Sequence, residues 1–190
     1  MIADVANPEN SIVLNNNWSI PIPSYQGNYG VHYAVQAVRA TSALQTQTLA
    51  LYPDHPSMVG SGLDSSTSLL LTFSGKPPVL ETGFWNICAY NAELDLIANP
   101  LDRYGIGSRV FNMTYANGEN VYGPNASAGD GVFQILVQDK AYPPPTNWTG
   151  NWLPVEDGFS LSFRIYGPSE VLKDGSYVWP NVKRIPILSV

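Results

Sequence analysis

Sixteen glycines and sixteen prolines interrupt this 190-residue chain about once every six residues. Proline removes a backbone donor and glycine is costly inside a helix, so a chain punctuated this often builds short strands joined by turns rather than long helices. Aromatic residues at 12% and hydrophobic residues at 44% can fill a core, which excludes a disordered tail. Charge at 13% is too sparse for a coiled coil or a charged helical bundle. The length suits one domain, and no apolar run approaches the ~20 residues of a membrane span.

Alternation marks the strands. In Phe159-Ser160-Leu161-Ser162-Phe163-Arg164-Ile165-Tyr166, the residues Phe159, Leu161, Phe163 and Ile165 share one face, and Ser160, Ser162, Arg164 and Tyr166 the other. Further strands are predicted at 49–52, 67–74, 84–90, 110–115, 132–137 and 177–179, separated by turn chemistry such as Asn117-Gly118, Gly167-Pro168 and Asp174-Gly175. One helix is expected over 29–44, where Val31, Ala34, Val35 and Val38 recur at helical spacing. The expectation is therefore a mainly β protein, an antiparallel jelly-roll-like β-sandwich with one N-terminal α-helix. Its parts are an extended segment at 1–28, a helix packed on the sandwich at 29–46, and the sandwich itself at 47–190, all in a single domain.

A net charge of −6 argues against nucleic acid, which needs a basic stripe to displace phosphate counterions. Cys88 is the only cysteine, so no internal disulfide forms; within its apolar run, Phe84 to Tyr90, it reads as a small buried hydrophobe. Asparagine carries the compartment signal. Sequons begin at Asn17, Asn112, Asn125 and Asn147, about twice what composition alone would supply. A secreted glycoprotein is expected, although Met1-Ile2-Ala3-Asp4-Val5 lacks the basic and apolar regions of a signal peptide. Both features fit the C-terminal part of a longer secreted precursor.

Catalytic templates are missing from the sequence: no Gly-x-Ser-x-Gly elbow, no His-Glu-x-x-His, no phosphate loop and no EF-hand. Gly105-Ile106-Gly107 matches none of them. The two histidines, His32 and His55, have no ligand-like spacing, so no metal or other cofactor is expected. The pairs Glu93/Asp95 and Glu156/Asp157 read as solvated carboxylates, with glycosidase-type acid/base work as the sharper alternative. Tyr90, Arg103, Tyr104, Arg164 and Tyr166 are the candidate ligand-binding set, guanidinium groups for a small carboxylate and tyrosines for the walls. The alternative pairs Arg103 with Asp102 or Glu93 and stacks Arg164 on Tyr166 or turns it toward a further domain. Trp148 and Trp152, four apart on a proline-rich loop, are candidates for stacking on sugar rings.

Several of these runs are familiar in order. Phe84-Trp85, Asn99-Pro100-Leu101-Asp102-Arg103-Tyr104-Gly105-Ile106-Gly107-Ser108-Arg109, Asn151-Trp152-Leu153-Pro154 and Phe163-Arg164-Ile165-Tyr166-Gly167-Pro168 together resemble the family called domain of unknown function 1214. The resemblance spans roughly residues 15 to 186. It implies a jelly-roll-like sandwich behind a helical segment, and a partner domain of the family called domain of unknown function 1254 on the N-terminal side. It implies no activity. The sequence departs from the family pattern in the stretch Tyr142 to Gly150, and in Ser108, where the family often has an aspartate. The expected function is a structural or binding module of a two-domain secreted protein, its partner that N-terminal domain or a second copy. The alternatives are a hydrolase or small-acid enzyme with a site shared between domains, and a carbohydrate-binding module.

Overall fold

A computed structural model describes residues 8–27, 30–31, 45–58, 66–126 and 129–189. Among the described residues ten strands run in chain order: β1 (Ser11–Val13), β2 (Ser19–Pro21), β3 (Ala50–Leu51), β4 (Thr67–Phe73), β5 (Val79–Tyr90), β6 (Gly105–Gly107), β7 (Phe133–Asp139), β8 (Trp152–Val155), β9 (Ser160–Pro168) and β10 (Asn181–Pro186). β1 and β2 form a small antiparallel pair. The other eight make two four-stranded sheets, β10-β4-β7-β8 and β3-β9-β5-β6. Pairing is antiparallel throughout except for β7 and β8, which run parallel with Leu136 opposite Trp152.

Alternation explains why these segments are strands. On β9, Leu161, Phe163 and Ile165 are buried while Ser160, Ser162, Arg164 and Tyr166 are half-buried, the division expected from the sequence. Trp85, Ile87 and Ala89 of β5 point the same way, and Leu69, Leu71 and Phe73 of β4 come from the opposing sheet. The sheets meet through aromatic rings: Phe73 stacks on Phe133 at 4.7 Å and on Trp85 at 5.2 Å, and Phe163 meets Trp85 edge-on at 5.7 Å. β7 is buried on both faces. Gln138 there is fully satisfied, its oxygen accepting from Ser68 Oγ and Leu188 N, its nitrogen donating to the carbonyls of Tyr142 and Leu188.

Four differences from the sequence reading have physical causes. The helix expected over 29–44 lies outside the described residues apart from Gly30 and Val31, which sit in a turn with Val31 exposed. The strand expected at 177–179 is an irregular segment. Apart from Tyr177 N, which donates to Val171 O, its backbone bonds go to side chains: Asn15 Nδ2 donates to Tyr177 O, Asn15 Oδ1 accepts from Trp179 N, and Asn16 Nδ2 donates to Trp179 O. The edge strand there is β10, whose exposed Lys183 and Arg184 discourage edge-to-edge pairing. The strand expected at 110–115 is likewise irregular: Thr114 N and O both bond to the Asn151 side chain, and Phe111 faces solvent. Finally, the polar-looking N-terminal segment is tied into the core. Trp18 is fully buried against Phe163 and Trp179, and its Nε1 donates to Pro180 O at 2.7 Å.

Candidate functional site

The outward residues of β5 and β9 gather three of the five residues of the predicted ligand-binding set, Tyr90, Arg164 and Tyr166. Asn86 lies opposite Arg164, Phe84 opposite Tyr166, and Tyr90 opposite Ser160. The Arg164 guanidinium lies 5.7 Å from the Tyr90 ring centroid, rather than on Tyr166. Burial opposes the Arg164 charge, but Tyr90, Cys88 and Tyr166 outweigh it and hold its pKa above the ordinary guanidinium value. Burial also pushes the Cys88 thiol up, with Arg164 pulling the other way, so this half-buried cysteine is a poor nucleophile near neutrality. Tyr166 stacks on Phe84 at 4.6 Å, and the Arg109 guanidinium caps Phe84 at 3.7 Å. The result is an outer sheet face bearing two cation–aromatic stacks.

Arg103 and Tyr104 belong elsewhere. Arg103 Nη1 donates to the carbonyls of Thr149 at 2.6 Å, Trp152 at 2.8 Å and Gly150 at 3.3 Å, and Nη2 to Asn112 Oδ1 at 3.3 Å. Its donors hold the 146–152 segment against the rest of the fold, so it pairs with neither Asp102 nor Glu93 in the described structure. Burial lowers its pKa. Tyr104 is exposed. Trp152 is buried, with its Nε1 donating to Gln138 O at 3.1 Å, and offers no face for stacking.

Trp148 is different. It sits half-buried in a 3-10 turn, Thr146–Asn151, and lines a cleft of about 480 Å³ with Thr114, Tyr115, Phe133, Gln134 and Asn147. The floor is set by Asn151, whose Oδ1 accepts from Thr114 N and Oγ1 while its Nδ2 donates to the carbonyls of Thr114 and Gln134. Sequence reasoning singled out Trp148 but missed Tyr115, Gln134 and Asn151. The signal available was the asparagine that opens Asn151-Trp152-Leu153-Pro154, a buried amide at a strand entrance.

The sequence matches the family of proteins of unknown function DUF1214 over residues 50–170, well over half of the chain. The chain belongs to the DUF1214 family. Among solved structures it is similar to the VPA0106 protein from Vibrio parahaemolyticus, with 23% identity and a TM-score of 0.55. That likeness covers 81% of this chain and 35% of the other, and it shows a shared fold. No curated protein matches the chain.

Within this DUF1214 chain, the Asn99-Pro100-Leu101-Asp102-Arg103 run is a self-bonded loop: Asn99 Oδ1 accepts from Leu101 N and Arg103 N, and its Nδ2 donates to the carbonyls of Ile97 and Arg103. The loop aims Arg103 at Trp152 and delivers the chain into β6. Among the described residues no three His, Cys, Asp or Glu side chains gather as a metal site. The paired carboxylates are dispersed in role: Glu156 bonds Lys140 at 2.6 Å, and the Glu93 and Asp95 amides are gathered by Asn91 Oδ1. His32 lies outside the described residues.

His55 is 6% exposed against the Trp18 ring, its Nδ1 accepting from Ser57 N at 3.1 Å. Burial lowers its pKa below the ordinary histidine value, and a hydrogen bond to the Asn16 backbone only partly opposes this. With the folded pKa below the unfolded one, the unfolded chain binds the extra proton first as pH falls. Stability is therefore complete above about pH 6.5 and declines on acidification toward the folded pKa. Urea midpoints measured between pH 8 and pH 5 should fall, and His55→Gln should flatten that slope. An equal slope in the variant would remove His55 as the cause.

Proposed function

We propose that this chain is the C-terminal β-sandwich module of a larger secreted glycoprotein, with a structural or partner-binding role beside an N-terminal domain of the DUF1254 kind or a second copy of itself. The observation that carries this reading is one of proportion, since the chain spans only 35% of the length of the solved protein it resembles. The sequons support the secretory part. Asn17, Asn112, Asn125 and Asn147 are all exposed, although the residue after Asn17, Trp18, is fully buried. Repeated crossing of the chain between the sheets supports a jelly-roll-like reading of the sandwich, and the helical spacing at 29–44 supports a helix laid on it.

Native mass spectrometry of the protein from its own source tests the reading. The expected species is heavier than the 20.7 kDa of this chain and loses mass in steps on treatment with an N-glycosidase. A bare 20.7 kDa species unaffected by the glycosidase overturns it. A second reading, a hydrolase or small-acid-processing enzyme with its site shared with an N-terminal domain, is favoured by Arg164 lying beside Tyr90 and Tyr166 on one sheet face. Under that reading Arg164→Ala abolishes turnover by the full-length protein while its melting temperature falls by no more than a few degrees.

A further inference from the structure

We propose that the cleft beneath Trp148 is a binding site for a neutral saccharide. Of the five tryptophans, Trp18, Trp85, Trp152 and Trp179 are buried. Three of those four place their indole N–H on a protein acceptor, namely Pro180 O, Tyr122 Oη and Gln138 O. Trp148 alone is half-buried on a cleft wall, and among the described residues its indole N–H, like that of the fully buried Trp179, has no acceptor; only that of Trp148 lies where a ligand could reach it. An indole with one face open and a donor to spare is suited to a ligand that is apolar on one side and hydroxylated at its edge. A pyranose ring is built that way.

The rest of the lining agrees with that chemistry. Gln134 Nε2 donates to Thr72 Oγ1, and its Oε1 accepts nothing among the described residues. Thr114 Oγ1 donates to Asn151 and keeps its acceptor capacity, and the Asn147 amide has no partner in the described structure. A second cleft of about 350 Å³, lined by Asn117, Glu119, Gly129 and Gly131, shares Tyr115, Ala116 and Val132 with the first. The first is itself in the size range of small-ligand sites, and the second adjoins it along that shared wall. No basic residue lines either part, and Glu119 is the sole carboxylate; Lys76 lies over the Tyr115 ring at 5.9 Å without joining the lining. The lining therefore offers an anion nothing to pair with, while amides, hydroxyls and open rings remain for an uncharged sugar.

Two sources could supply the sugar: a soluble oligosaccharide, or a glycan on Asn147 at the cleft's own rim. The test begins with the whole chain made in bacteria, free of N-glycans, and titrates cellohexaose, chitohexaose and mannohexaose by calorimetry while following indole N–H resonances. At least one sugar should bind and shift the Trp148 resonance, and Trp148→Ala should weaken binding at least tenfold with an unchanged melting temperature. Protein from a glycosylating host then separates the sources. Lost affinity that Thr149→Ala restores, by removing the sequon without touching the lining, assigns the cleft to the chain's own glycan, and unchanged affinity assigns it to a soluble one. Flat titrations with all three sugars, undiminished binding in Trp148→Ala, or a response to control peptides in place of sugars would overturn the proposal. Because the first arm uses glycan-free protein, it is decided independently of whether the natural protein is secreted.

Discussion

Replacing Gly107 by alanine should cost more than about 4 kcal/mol, enough to remove most or all of the stability of an ordinary domain. A Cβ there would lie 2.1 Å from Trp85 O and 2.7 Å from Asn86 Cα, both backbone atoms of the strand that β6 pairs with. Neither can swing aside as a side-chain tip could. The same stretch fixes the core tryptophan, because Ser108 Oγ accepts from Trp85 N at 3.1 Å and Ser108 N donates to Trp85 O at 3.1 Å. Pushing β6 away would break those bonds and loosen Trp85 from its stack with Phe73. Gly118→Ala is the internal contrast. It has a φ of +85° but nothing within 4 Å, so only the left-handed backbone penalty of about 1–2 kcal/mol applies. Soluble yield and thermal melts of the two variants compare them, and a Gly107→Ala protein melting within a few degrees of the parent would refute the argument.

Gly107 also shows where the sequence stops being legible. β9 could be read directly from its alternation, and β4, β5 and β7 from short apolar runs bounded by turn chemistry. β6 could not: Gly105-Ile106-Gly107 has one side chain to show, and its glycines answer to a neighbouring strand some twenty residues away. β8 was hidden by Pro154 and by its burial on both faces, which erases alternation. β10 was hidden by its charges, Trp18 by the polar residues around it. The site divided along the same line. Tyr90, Arg164 and Tyr166 follow from outward alternation on two legible strands, and the structure brings them to one face. The Trp148 cleft depends on Asn151 folding back on Thr114, a contact 37 residues away in sequence that no local pattern announces.

The role of Arg103 was the least visible of all, and it yields the second large effect. Arg103→Ala should destabilise the chain by about 3 kcal/mol, lowering the melting temperature by roughly 6–12 °C. The loss arises from the acceptors more than from the arginine. Truncation leaves the carbonyls of Thr149 and Trp152 without a donor that had approached to 2.6 and 2.8 Å, and Trp152 itself is buried. It also frees the 146–152 segment that carries Trp148. Arg103→Lys should recover less than half of the stability, since one ammonium cannot reproduce a planar fork reaching Thr149, Trp152 and Asn112 together. Arg164→Ala discriminates between the two arginines. Its guanidinium rests on the Tyr90 ring and hydrogen-bonds the Tyr90 side chain, and among the described residues it bonds no main-chain carbonyl, so its removal should cost only about 1 kcal/mol. If denaturant midpoints ranked the variants the other way, Arg164 would be the structural arginine and Arg103 the one open to a ligand. The expected ranking instead keeps Arg103 in the scaffold, because a guanidinium engaged with three main-chain carbonyls has little capacity left to clamp a substrate carboxylate.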